Sequence, residues 1–174
     1  MKLHSDFSFG RRGNARFYPA GTEVPWYYVY PFFLLHMLVF GTLTYVLAYS
    51  GKAEGFGLYL IGGFPALIYC GFYLTFFGLD EVKWMFINAA LGLLGIYSQM
   101  GWLLSLFGKK IGDYPPSVHV VPFLYFVLYT FLLRHAVLDI TQSRENPQKK
   151  KFVESGYIAI SVAVYVLSYF LEKL

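Results

Sequence analysis

The 174 residues are 57% hydrophobic and 21% aromatic but only 14% charged, against roughly a quarter charged in an average soluble domain, too little to cover a water-soluble globule. The net charge of +4 and the pI near 9.0 do not point to nucleic acid, because the basic residues sit at the ends of apolar runs. A lone cysteine, Cys70, excludes an intrachain disulfide, a CxxC redox pair and a thiolate metal cage.

The apolar residues come in runs of about 20, the length an α-helix needs to cross about 30 Å of hydrocarbon. This predicts an all-α polytopic membrane protein, a five-helix transmembrane bundle. Four spans plus an interfacial helix is the alternative. A basic, aromatic N-terminal arm over residues 1–24 precedes the bundle of residues 25–174. The spans are expected at about 31–49, 56–77, 84–107, 118–140 and 152–171.

The apolar run after the arm is longer than the h-region of a cleaved signal, so the arm is expected to be kept. It reads as irregular, with Lys2, Arg11, Arg12 and Arg16 near anionic headgroups. Trp26, Tyr27, Tyr28 and Tyr30 form an aromatic belt at the interface, and Pro31 suits the first residue of a helix.

In the second span Pro65 lacks an N–H and pushes away the Ile61 carbonyl, so the Gly62-Gly63-Pro65 stretch predicts a kink. The short loop 78–83 makes spans two and three antiparallel neighbours. In the third span Asn88, Gly92, Gly95 and Gln99 fall on one helical face. Small and amide residues on one face allow close approach and hydrogen bonds between helices in lipid.

The fourth span is the segment around which the others are expected to pack. His119 is its only strongly polar residue before Arg134, His135 and Asp139 arrive together, and ionisable groups in a span need a partner or the interface. The loop 141–151 is polar and basic. The last run carries a packing stripe of Gly156, Ala159 and Ala163. An amphipathic surface helix is the alternative for this run, although it has no charged face.

Orientation follows from the basic residues. With the N-terminus cytoplasmic and five spans, Lys2, Arg11, Arg12, Arg16, Lys83, Arg144, Lys149, Lys150 and Lys151 lie inside. Only Lys52, Lys109, Lys110 and Lys173 lie outside, which favours a cytoplasmic N-terminus and a C-terminus on the opposite side.

At about 1.5 Å per residue, His36 and His135 both come out roughly 8 Å below the cytoplasmic surface. Asn88, Arg134, Asp139 and Glu154 fall in the same leaflet, with Asp80 and Glu81 just beneath. The ligand-binding candidates are therefore His36, Asn88, Arg134, His135 and Asp139; the helix-packing candidates are Gly92, Gly95, Gln99, Gly156, Ala159 and Ala163. Plain structural roles exist for these groups: Arg134 snorkelling, a His135–Asp139 pair along the helix, and His36 bonded to a neighbouring carbonyl. The sharper alternatives are a b-type haem held between His36 and His135, and an anionic lipid or quinone-like ligand received by Arg134.

No HExxH, GxSxG, P-loop or GxGxxG motif occurs, and no metal site is predicted. The 18 phenylalanines and 16 tyrosines exceed what a bundle interior needs, which favours contact with lipid and with other membrane subunits or further copies. The expected function is a non-catalytic accessory or scaffold subunit of a membrane complex. An inner-leaflet ligand-binding protein and a small transporter or channel are the alternatives.

Overall fold

The computed structural model describes residues 2–9, 16–50, 55–91 and 93–171, without the side chains of Phe9, Ile87, Asn88, Ala90, Leu91 and Leu94. An antiparallel hairpin, β1 (Phe7–Phe9) and β2 (Arg16–Tyr18), precedes the helices α1 (Trp26–Tyr49) and α2 (Gly55–Phe77). Then follow α3 (Leu79–Leu91), α4 (Leu93–Ser105), α5 (Pro116–Ile140) and α6 (Pro147–Leu171).

Four of these helices, α1, α2, α5 and α6, are long and apolar enough to cross a membrane. Of the stretch 84–107, expected as one span, residues 84–91 and 93–105 are helical, in α3 and α4, and residue 92 lies outside the described residues.

Helix α3 begins at Leu79, within the expected loop 78–83, and three further helices begin earlier than expected, each of those three for a local reason. Pro25 is extended, with φ −63° and ψ 119°, and α1 starts immediately after it, so the aromatic belt is helical and Pro31 lies inside. Pro115, at φ −65° and ψ 149°, does the same for α5. At α6 the side-chain oxygen of Asn146 accepts the N–H groups of Gln148 and Lys149, both at 3.1 Å. This is an N-cap with proline in the first helical position, where the missing N–H costs nothing.

The expected break in α2 is a π-helical turn, Tyr59–Gly63, just before Pro65. The Phe64 N–H bonds the Tyr59 carbonyl, five residues back, which gives the ring of Pro65 room. The Tyr125 hydroxyl donates to the Gly62 carbonyl at 2.9 Å. Gly62 also faces Thr44 and Val121, where an added Cβ would lie 2.6 and 2.9 Å from their side chains.

Helix α5 is central and packs against α1, α2, α3 and α6, with Val121, Leu128 and Leu132 almost completely buried. Helix α4 packs against α6. Of α6, only Ser168 is buried; Tyr157 and Tyr165 are partly covered, and most of its other apolar residues face outward.

Within the N-terminal arm, expected to be irregular, the described segments β1 and β2 pair antiparallel. Gly78, at φ +87°, ends α2 and leaves the Thr75 carbonyl without an intrahelical partner. The backbone N–H groups of His4 and Ser5 fill that vacancy at 3.1 and 3.2 Å, while Leu3 is buried and Phe7 packs on Phe72 and Phe76.

Side-chain bonds define two ends of the bundle. At the arm end, Tyr30 of α1 meets Asp139 of α5, Phe77 of α2 stacks on His135, and Glu81 of α3 meets Arg134. At the far end Tyr49 of α1 bonds His119 of α5, and its carbonyl accepts from Lys109 and Tyr114. The chain therefore travels from the arm end to the far end between Glu81 and Lys109.

Candidate functional site

The polar groups converge at the arm end, and the way α5 terminates is what brings them together. Ser143 N–H bonds the Leu138 carbonyl at 2.9 Å and Gln142 N–H bonds the Asp139 carbonyl at 3.0 Å, a Schellman turn. Gln142 sits at φ 51°, where glycine or asparagine is usual. The turn reverses the chain and swings Arg144 back over the helix it has just left.

Arg144 then bonds both oxygens of Asp139, the Tyr30 hydroxyl at 3.1 Å and His135 Nδ1 at 2.8 Å. Its guanidinium also lies 5.9 Å from the centre of the Phe77 ring. Burial alone would lower its pKa, but the Asp139 carboxylate and the Tyr30 hydroxyl outweigh that and hold the guanidinium charged. Tyr30 completes the group by donating to Asp139.

His135 has no exposed side-chain surface. A guanidinium only donates, so Nδ1 is the acceptor and the ring proton sits on Nε2. Nε2 lies 3.6 Å from Glu81 Oε2, just beyond hydrogen-bond range.

Glu81, in the first turn of α3, also bonds Arg134 at 3.2 Å, and Arg134 bonds Glu154 of α6. Lys150 approaches Glu81 at 3.8 Å and Glu154 at 4.0 Å. Three carboxylates, Glu81, Asp139 and Glu154, thus meet three cations, Arg134, Arg144 and Lys150. The cluster is neutral overall and joins α1, α3, α5 and α6. Isolated ionised groups at this position would be costly, whereas this set satisfies itself.

Beside the cluster a cavity of about 680 Å³ opens between the arm and the ends of α2 and α5. Its wall mixes apolar groups such as Leu3 and Phe76 with Lys2, Glu23, Gln142 and Glu145, and the Asp139–Arg144 pair borders it. At the far end a smaller apolar cavity, about 220 Å³, lies between α4 and the start of α5, with His119 in its wall.

Of the residues singled out from the sequence, Arg134, His135 and Asp139 belong to the cluster. His36 does not. Its Nδ1 bonds the Phe32 carbonyl of its own helix at 2.7 Å and its ring packs on Phe32. The side chain of Asn88 and all of Gly92 lie outside the described residues, as do Arg11, Arg12, Lys52 and Lys173. Gly95 lies against the ring of Tyr165, so α4 and α6 approach closely there. Gln99 is partly exposed, and Gly156, Ala159 and Ala163 are exposed on α6.

Sequence reasoning missed Tyr30, Arg144 and Lys150 as members of the cluster. The Asn146-Pro147 start signal of α6 was the clue for Lys150, since it puts Lys150 one turn before Glu154 on the same face. Arg144 is five residues from Asp139, a spacing that no helical rule joins. Comparison of the chain with protein-family models, with curated proteins and with solved structures returned no match, so the geometry of this end of the bundle carries the functional reading.

Proposed function

We propose that this chain is a small integral membrane protein that serves as a non-catalytic accessory or scaffold subunit, packing against other membrane proteins and lipid. The observation that carries the reading is α6, 25 apolar-rich residues of which only Ser168 is buried within the chain. The ionisable groups point the same way, because the cluster spends its charges on one another and fixes four helices. A photo-crosslinker placed at Ala159 or Ala163 in native membranes is expected to capture another membrane polypeptide or a second copy. Capture of lipid alone would count against the subunit role.

We infer further that α3 and α4 together make a fifth crossing, with the N-terminus cytoplasmic. In support, Glu81 bonds at the arm end and Lys109 at the far end, so this stretch covers the length of the bundle. Reporters inserted after Asp80 and after Lys110 are expected on opposite faces of the membrane. Reporters on the same face would overturn the five-span topology.

A second reading, ligand binding at the arm end, is favoured by the cavity of about 680 Å³, within the size range of small-molecule sites.

A further inference from the structure

We propose that the cavity between the arm and the ends of α2 and α5 binds a zwitterionic headgroup carrying a phosphate and a primary ammonium, supplied by a membrane lipid. The proposal deepens the ligand-binding reading and is independent of the subunit role.

The wall is mixed in charge, with Lys2 and Arg144 against Glu23, Asp139 and Glu145. A lone anion meets the carboxylates and a lone cation meets Lys2 and Arg144, so a headgroup bearing both signs is the match. Arg144 is already committed to Asp139, and Lys2 is only loosely paired with Glu23 at 4.0 Å. Lys2 is therefore the phosphate partner and Glu145 the ammonium partner. Leu3 and Phe76 supply apolar wall for the start of the acyl region. A cavity at the helix ends also lies where headgroups lie when the long helices cross a bilayer.

Gln142 adds a carboxamide to this wall. Among the described residues it is the single non-glycine residue with positive φ, and it lines this cavity. Glycine would adopt φ 51° without strain, yet the position carries a carboxamide. The Schellman turn that ends α5 accounts for the φ itself. The amide donates to a phosphate oxygen and accepts from an ammonium, so it serves both halves of the headgroup. A quaternary ammonium cannot donate to Glu145 or to the Gln142 amide, and of the two phenylalanines in the wall, Phe77 is already taken up by Arg144 and His135.

The test uses the full chain in detergent, with phosphatidylethanolamine, phosphatidylcholine or phosphatidylglycerol of the same acyl chains added, and with soluble O-phosphoethanolamine as a further arm. Thermal unfolding and native mass spectrometry are the readouts. Phosphatidylethanolamine near saturation is expected to raise Tm by about 5 °C and to stay bound, while the other two lipids do neither. A comparable rise with O-phosphoethanolamine supports the same chemistry from a soluble source. Gln142→Gly is expected to unfold at a higher temperature than wild type without lipid, yet to lose the phosphatidylethanolamine-dependent rise. Gln142→Asn keeps an amide on a residue that tolerates this backbone and retains part of the rise. Glu145→Gln reduces it. Equal stabilisation by phosphatidylcholine or phosphatidylglycerol, no rise with phosphatidylethanolamine, or an undiminished rise in Gln142→Gly overturns the proposal. None of these results bears on the crosslinking test of the subunit role.

Discussion

Replacing Arg144 with leucine tests whether the ion cluster is what locks the arm end of the bundle. The change removes the bonds to Asp139, Tyr30 and His135 together and leaves an Asp139 carboxylate, 8% exposed, with Tyr30 as its remaining donor. Deleting one member of a buried pair costs about 3–5 kcal/mol, because the other charge is stranded. Two effects reduce that figure. The Arg144 side chain is 31% exposed, so water already screens part of the attraction. Helices separated within a membrane also find substitute partners for their polar groups. The expected loss is about 2–3 kcal/mol. The double variant Asp139→Leu with Arg144→Leu strands no charge and is expected to recover at least half of that loss, about 1–1.5 kcal/mol, so that the cycle closed by the single variant Asp139→Leu is far from additive. Asp80→Asn is the control, since its pair with Lys83 is exposed, and it is expected to change stability by less than about 0.5 kcal/mol. Reversible unfolding in mixed micelles, followed by circular dichroism, measures all of these. A loss in Arg144→Leu no larger than the control's, or strict additivity in the double variant, would refute the idea that the cluster acts as a lock.

Gly62→Ala sets a methyl against Thr44 and Val121 at the tightest contact of the π-helical turn and is expected to cost about 1–3 kcal/mol. Gly63→Ala, whose nearest neighbour would be 3.7 Å away, is expected to lie within about 0.5 kcal/mol of wild type by the same unfolding assay. Gly95→Ala collides with the Tyr165 ring and is expected to loosen α6 from α4, seen as faster proteolysis of the C-terminal helix; pairing it with Tyr165→Ala is expected to restore protection. Protein expressed with ample haem is expected to show no Soret band, because His135 is held by Arg144 and His36 by its own helix; a band that disappears in His36→Ala would defeat this assignment of the two histidines.

The long helices were legible in the sequence because their signal is length and hydropathy, and both survive without any knowledge of packing. Their ends were less so. The expected start of the first span was Pro31, yet Pro25 is the residue that sets the extended entry, and α1 begins right after it. The kink near Pro65 was anticipated, since a missing N–H and a displaced carbonyl require a local answer. That the answer is a π-helical turn, rescued by Tyr125 from another helix, is a tertiary fact.

Depth and direction are separate coordinates, and only depth was available before the fold. Counting residues from a helix end gave His36 and His135 similar depth, but the buried face of α1 is marked by Tyr30, Phe33, Met37 and Thr44. At about 100° per residue, His36 points roughly a quarter turn away from that face. In a soluble helix, apolar periodicity would have revealed this. Here the residues facing the core and those facing outward are both apolar, so α1 buries Met37 while exposing Leu38 and Val39, and no pattern separates them. Polar residues are the sole azimuthal markers that remain, and they are informative only when their partners are known. Arg134, His135 and Asp139 find theirs on other segments: Glu81 on α3, Glu154 on α6, Tyr30 on α1 and Arg144 beyond the turn. That is why three residues read as the edge of one span prove to be the junction of four helices, and why Arg144, held on the cavity rim, joins this junction to the proposed headgroup site.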